Sequence, residues 1–199
     1  SAVIFVLAVS SINAQKEFTL TTTAANINTV YSRASIDLPG LTGNTLAIIV
    51  ATPLGDTETL NPHPICAWYD GGKWYLYNAD GNPMPVGAKY KIQFFQNSGP
   101  NQFLHIITKE NLGSEGSYID NPALNTNPNA QVKILQNHSP QVRVPSHLNH
   151  YGAKAVYTSS AGQWYIVNVA RARMLPTRPS SLVIFTVGRA TPATNQDLN

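Results

Sequence analysis

Two stretches of this chain repeat each other. Ile36-Asp37-x-Pro39-x-Leu41 returns as Ile119-Asp120-x-Pro122-x-Leu124, Leu60-Asn61 as Leu148-Asn149, and Ala67-x-Tyr69 as Ala155-x-Tyr157. Further on, Trp74-Tyr75-Leu76-Tyr77-Asn78 returns as Trp164-Tyr165-Ile166-Val167-Asn168, Met84 as Met174, and Ile92-x-Phe94 as Val183-x-Phe185. Order is kept throughout, and residue type at all these positions but Tyr77, which returns as Val167. The spacing drifts only between apolar runs, where loops tolerate insertion. Such a chain is expected to fold as two like units, residues 15–98 and 99–189. Residues 1–14 are set apart as a leader remnant and 190–199 as a polar tail or linker.

Each unit reads as β-structure. Short apolar or alternating runs are separated by Gly, Pro, Asn and Asp, the pattern of strands joined by turns. Strands are predicted over 17–23, 46–52, 65–70, 74–78, 88–95, 103–108, 130–136, 153–158, 164–168 and 181–187. Asp70-Gly71-Gly72-Lys73 has the glycines of a tight hairpin turn, and Ser159-Ser160-Ala161-Gly162 is its longer counterpart. Charged residues make up only 12% of the chain, about half the usual share. Asn, Thr, Ser, Gly and Pro take their place, a mixture that suits turns and half-buried strands better than helices. The fold class is therefore all-β: two tandem β-sandwich-like domains from an internal duplication.

Comparing the repeats reads out the strand faces. Trp74 and Leu76 become Trp164 and Ile166, so that face stays large and apolar and is assigned to the core. On the preceding strand Ala67 and Tyr69 keep their types, while Cys66 and Trp68 become Lys154 and Val156. A lysine there places that face at the solvent in the second unit.

Ala2–Val9 is an unbroken apolar run followed by Ser10-Ser11-Ile12-Asn13-Ala14-Gln15. It reads as the apolar core and cleavage region of a secretory signal peptide, and it is too short for a membrane span of about 20 residues. Retained, the same run could serve as a donated β-strand. Cys66 is the one cysteine, so neither an intrachain disulfide nor a cysteine-based metal site is available.

The segment His63-Pro64-Ile65-Cys66-Ala67-Trp68-Tyr69-Asp70-Gly71, then Lys73-Trp74-x-x-x-Asn78-x-Asp80, then Met84-Pro85-x-Gly87-Ala88, resembles an uncharacterised bacterial extracellular tandem-repeat β domain. That domain typically reads His-Pro-Ile-Gly-Val-Trp-Tyr, Lys-Trp-x-Ile-Phe-Asn-Gln-Asp and Met-Pro-x-Gly-Ala. The likeness covers most of residues 18–188. The first unit departs from it at Cys66, and the second at Tyr151-Gly152 in place of His-Pro. The resemblance implies a secreted β domain and brings no catalytic residues with it.

Residue chemistry narrows the function classes. No Gly-x-Ser-x-Gly elbow, phosphate loop or dinucleotide fingerprint is present, and no cofactor is expected. Asp70 and Asp80 flank one strand, but their counterparts are Thr158 and Ala170, so turn formation is the favoured reading. His138, His147 and His150 are the weak alternative for a metal site. Residues 1–100 hold five Lys/Arg against six Asp/Glu, and residues 101–199 eight against four, including Arg171, Arg173, Arg178 and Arg189. No nucleic-acid motif accompanies these arginines, and neither nucleic acid nor a membrane span is expected. The aromatic set is densest in the first unit, and exposed rings on a sandwich can stack on sugars. A ligand or partner surface is therefore placed at Trp68, Tyr75, Tyr77, Asp70 and His63. The function expected is a non-catalytic extracellular or cell-surface module for adhesion, with glycans or cell-surface components as partners. The alternatives are a filament subunit that self-assembles by donating residues 2–9, and a secreted hydrolase.

Overall fold

The structure, a computed structural model, describes residues 16–30, 32–55, 60–96, 98–99, 101–114, 116–138, 151–169 and 184–190. Thirteen strands and no helix lie among them. The first unit holds β1 (Lys16–Thr21), β2 (Ile27–Asn28), β3 (Arg33–Ile36), β4 (Ile48–Leu54), β5 (Ile65–Asp70), β6 (Lys73–Asn78) and β7 (Lys89–Phe95). The second holds β8 (Gln102–Ile106), β9 (Ser117–Ile119), β10 (Gln131–His138), β11 (Ala153–Thr158), β12 (Gln163–Asn168) and β13 (Ile184–Ala190). Each predicted strand has its counterpart here. β2, β3 and β9 were not predicted: they are two to four residues long and carry too few alternating apolar positions to register.

The strand orders repeat with the sequence. In the first unit β1-β7-β4 forms one sheet and β3-β6-β5 lies in another; in the second, β8-β13-β10 and β9-β12-β11 take the same places. The two units are joined through a shared sheet. β10 pairs in parallel with β5, setting Gln136 opposite Cys66, Asn137 opposite Ala67 and His138 opposite Trp68. The result is one seven-stranded sheet, β2-β3-β6-β5-β10-β13-β8, that runs through both units. Successive residues of a strand point to opposite faces, and β10 uses both. Leu135 belongs to the first core, while Val132 and Ile134 pack against the second.

The face assignment follows the alternation. Trp74 and Leu76 are fully buried in the first core beside Ala34, Ile36 and Ala67. The Trp74 indole donates to the Asn44 carbonyl at 2.9 Å, and Tyr69 meets its ring edge-on at 5.3 Å. The second unit rebuilds both contacts. Trp164 donates to the Asn127 carbonyl at 2.9 Å, and Tyr157 meets it edge-on at 5.7 Å. Trp164 is only partly buried, packed against the second core rather than enclosed by it.

One correspondence moves. Ala51 stands opposite Ile92, and its partner in the repeat, Ile134, stands opposite Val187. The structural counterpart of Ile92 is therefore Val187, not Val183. Strands repeat every two residues, so a shift by an even number leaves the apolar pattern unchanged.

Several motif residues are scaffolding. Asn61 Nδ2 donates to Asn78 Oδ1 at 2.7 Å and to the Tyr90 hydroxyl at 2.8 Å. Asn78 Nδ2 in turn donates to the carbonyls of Asn82 and Pro83. Buried amides need such partners, which accounts for Asn61, Asn78 and Met84 as a repeated set. Met84 packs in the same core, with its sulfur accepting from Tyr90 at 3.4 Å.

Candidate functional site

The outer face of the first unit carries the residues that alternate with the core set: Arg33 and Ser35 on β3, Tyr75 and Tyr77 on β6, and Cys66, Trp68 and Asp70 on β5. The β5–β6 hairpin closes through Gly71 and Gly72, with φ of 55° and 84°. This backbone region favours glycine and belongs to the turn that matches strand twist. The turn holds Asp70 opposite Lys73.

Arg33 organises this face. Its guanidinium carbon lies 4.2 Å from the Tyr75 ring centroid and 4.6 Å from that of Trp68. Nη2 donates to Asp70 Oδ2 at 2.8 Å, with the arginine side chain 7% exposed and the aspartate 50%. A cation held against two aromatic faces and tied to a carboxylate locks both rings in place. Trp68 also meets Tyr77 at 5.8 Å. Trp68, Tyr75 and Asp70 therefore come together around an arginine that the sequence did not single out.

Tyr77 is drawn further in. It stands opposite Cys66, whose side chain is fully buried. Burial pushes the Cys66 thiol well above its usual range, and burial followed by the neighbouring thiol does the same for the Tyr77 phenol. Both stay protonated, and neither is a nucleophile at neutral pH.

His63 lies at the other end of the hairpin. Its Nδ1 is 2.7 Å from Asp80 Oδ2, and Asn82 Nδ2 donates to the same carboxylate at 2.9 Å. Burial acts to raise the Asp80 pKa, but hydrogen bonds from Asn82 and His63 outweigh it and hold the carboxyl below its usual value. Asp70 and Asp80 flank the two ends of β6, separated by about 17 Å of strand. That is too far for one cleft: glycoside hydrolysis needs its two carboxyl groups about 5–9.5 Å apart.

His63 instead lines a cleft of about 350 Å³ between the units, with Pro53, Pro62, Pro64, Gln136 and Tyr151 among its walls. Of the metal alternative, His147 and His150 lie outside the described residues, and for His138 only the backbone is described. Among the described residues no group of three or more His, Cys, Asp or Glu is placed to hold a metal. The apolar run Ala2–Val9 and the arginines 171, 173 and 178 also lie outside the described residues.

A second histidine contact has a defined direction. His105 Nε2 is 2.8 Å from Ser117 Oγ, and Ser117 Oγ donates to Asn111 Oδ1 at 2.8 Å. The hydroxyl proton is committed to Asn111, so the imidazole donates to the serine and cannot take its proton. Burial lowers the His105 pKa to about 4. This is a buried polar chain rather than a nucleophile with its base.

The second unit lacks the arginine arrangement. Its counterparts of Trp68, Asp70 and Tyr77 are Val156, Thr158 and Val167, and that of Arg33 is Gly116. A Cβ at Gly116 would collide with the Ile166 carbonyl oxygen.

A profile for a domain of unknown function, DUF7452, matches residues 4–94 and again 72–180. The chain belongs to this family. Its double match agrees with the duplicated strand order, and the overlap at 72–94 spans the end of the first unit. No curated protein and no solved structure matches the chain.

Proposed function

We propose that this DUF7452 protein is a non-catalytic binding module of an extracellular or cell surface, and that the outer face of its first unit takes a glycan. The observation that carries this reading is the Arg33 arrangement: two rigid, half-buried rings beside a charged hydrogen-bonding pair. Sugars present flat C–H faces with hydroxyls at the edge. Trp68 and Tyr75 offer ring surface for the former, and Asp70 offers an acceptor for the latter. The rings lose little freedom on binding because Arg33 already holds them. The apolar opening of the sequence supports export, and the resemblance to extracellular bacterial repeats supports the same compartment.

A glycan array probed with the full chain, followed by titration calorimetry on the best hit, tests the proposal. Trp68→Ala and Tyr75→Ala should each weaken binding by about tenfold or more, consistent with about 1–3 kcal/mol for an anchoring aromatic contact. Asn82→Ala, at the far end of the hairpin, should leave it unchanged. Absence of binding across the array, or binding indifferent to Trp68 and Tyr75, overturns it.

A further inference from the structure

We propose that the edge of β11 to which no described strand is paired receives a parallel strand from a further unit of this fold, as the matching edge of β5 receives β10. The two edges are the same place in the repeat, because β3-β6-β5 and β9-β12-β11 have the same order. In the first unit that edge is filled through Gln136, Asn137 and His138. In the second, among the described residues, β11 pairs with β12 alone.

The side chains on the two strands also differ in exposure. Cys66 and Ala67 are fully buried, whereas their counterparts Lys154 and Ala155 are exposed and half-buried. Val156, in the place of Trp68, is 37% exposed. An exposed strand edge with an apolar residue is a template for another strand. The contact that joins the two units uses different surfaces on each. Such a heterologous contact pairs unlike surfaces, so the acceptor edge of one unit and the donor strand of the next can be used in turn.

The occupant is a strand of the β10 type, and β4 of a second copy of this chain is a poor one. β4 holds the place of β10: Ile48 and Gln131 begin the two strands with the same spacing that relates Asn44 to Asn127. That spacing sets Pro53 on Gln136, the first residue of the junction. Pro53 stands opposite Tyr90 in the ladder with β7. A proline cannot donate there, so its nitrogen faces the outer edge and removes a donor that an added strand would need. The strand that fits β11 therefore comes from another unit with an N–H at this position, entering parallel to β11 by edge addition.

The test uses the full chain and a dye-labelled peptide of residues 130–138, read by fluorescence anisotropy and amide hydrogen exchange. Saturable binding is expected, weakened at least about tenfold when the peptide carries Gln136→Pro, with exchange slowed across residues 153–158. Failure to saturate, equal binding of the Gln136→Pro peptide, or slowing at 65–70 instead of 153–158 overturns the proposal. Light scattering on the chain alone should give a concentration-independent monomer mass. Growth of that mass through a β4–β11 contact, lost in Val156→Lys, would make a second copy the occupant and overturn the choice made here.

Discussion

Arg33 shows how much can hang on one side chain that a strand pattern hides. It precedes Ala34 and Ile36, whose side chains are in the core, and nothing in its neighbours announces a carboxylate four strand positions along β5. The same scale holds the clearest pH response. His105 is neutral in the fold because burial lowers its pKa to about 4, against about 6.5 in an unfolded chain. The unfolded chain therefore binds a proton between these values and the fold does not. Stability contributed by the neutral imidazole is complete above about pH 6.5 and is lost as pH falls toward about 4. The loss is on the order of 3 kcal/mol at about 1.4 kcal/mol per pKa unit. Urea unfolding at pH 7, 5.5 and 4 should show it, and His105→Gln should flatten the slope. The lowered carboxylates Asp37 and Asp80 act in a lower window, because their stabilisation is lost only as pH falls below the usual carboxylate range. The Asp37 shift comes first from its hydrogen bond with Lys73.

Elements in the two units match in order but differ where a single residue sets the approach of two strands. β9 lies against β12 through Ile119, Tyr118 and Ser117, and Gly116 enters that pairing at φ 148° with the Ile166 carbonyl oxygen against it. Gly116→Ala should separate the strands. It is expected to cost about 3 kcal/mol or more, combining backbone strain with a lost ladder contact. Near-ultraviolet dichroism and the fluorescence of Trp164, which packs on the same core, should both change. Arg33 occupies the equivalent place in β3 without such a collision, since the first unit uses that position to present a side chain. The hairpin that carries Asp70 was legible from Asp-Gly-Gly-Lys, because only glycine takes positive φ cheaply twice in succession. β2, β3 and β9 were not legible, because their formation depends on the neighbours they pair with rather than on their own few residues.

At the scale of the molecule, β10 decides whether this is two domains or one. Leu135 sits in the first core although its strand belongs to the second unit. Leu135→Ala should therefore destabilise both units together by about 2–5 kcal/mol. Denaturant curves followed by total tryptophan fluorescence and by far-ultraviolet dichroism should stay coincident, because unfolding either unit breaks the shared sheet. Two separated transitions would mean that the junction is weaker than its register implies. The repeat, the β character of each unit, the buried Trp74 face and the two hairpins follow from the sequence alone, because alternation and turn chemistry are local properties. The pairing of β10 with β5, the Arg33 contacts and the even-numbered shift that sets Val187 opposite Ile134 were settled only by tertiary structure. Each joins residues far apart in the chain, and a pattern of period two is the same for every register that differs by two.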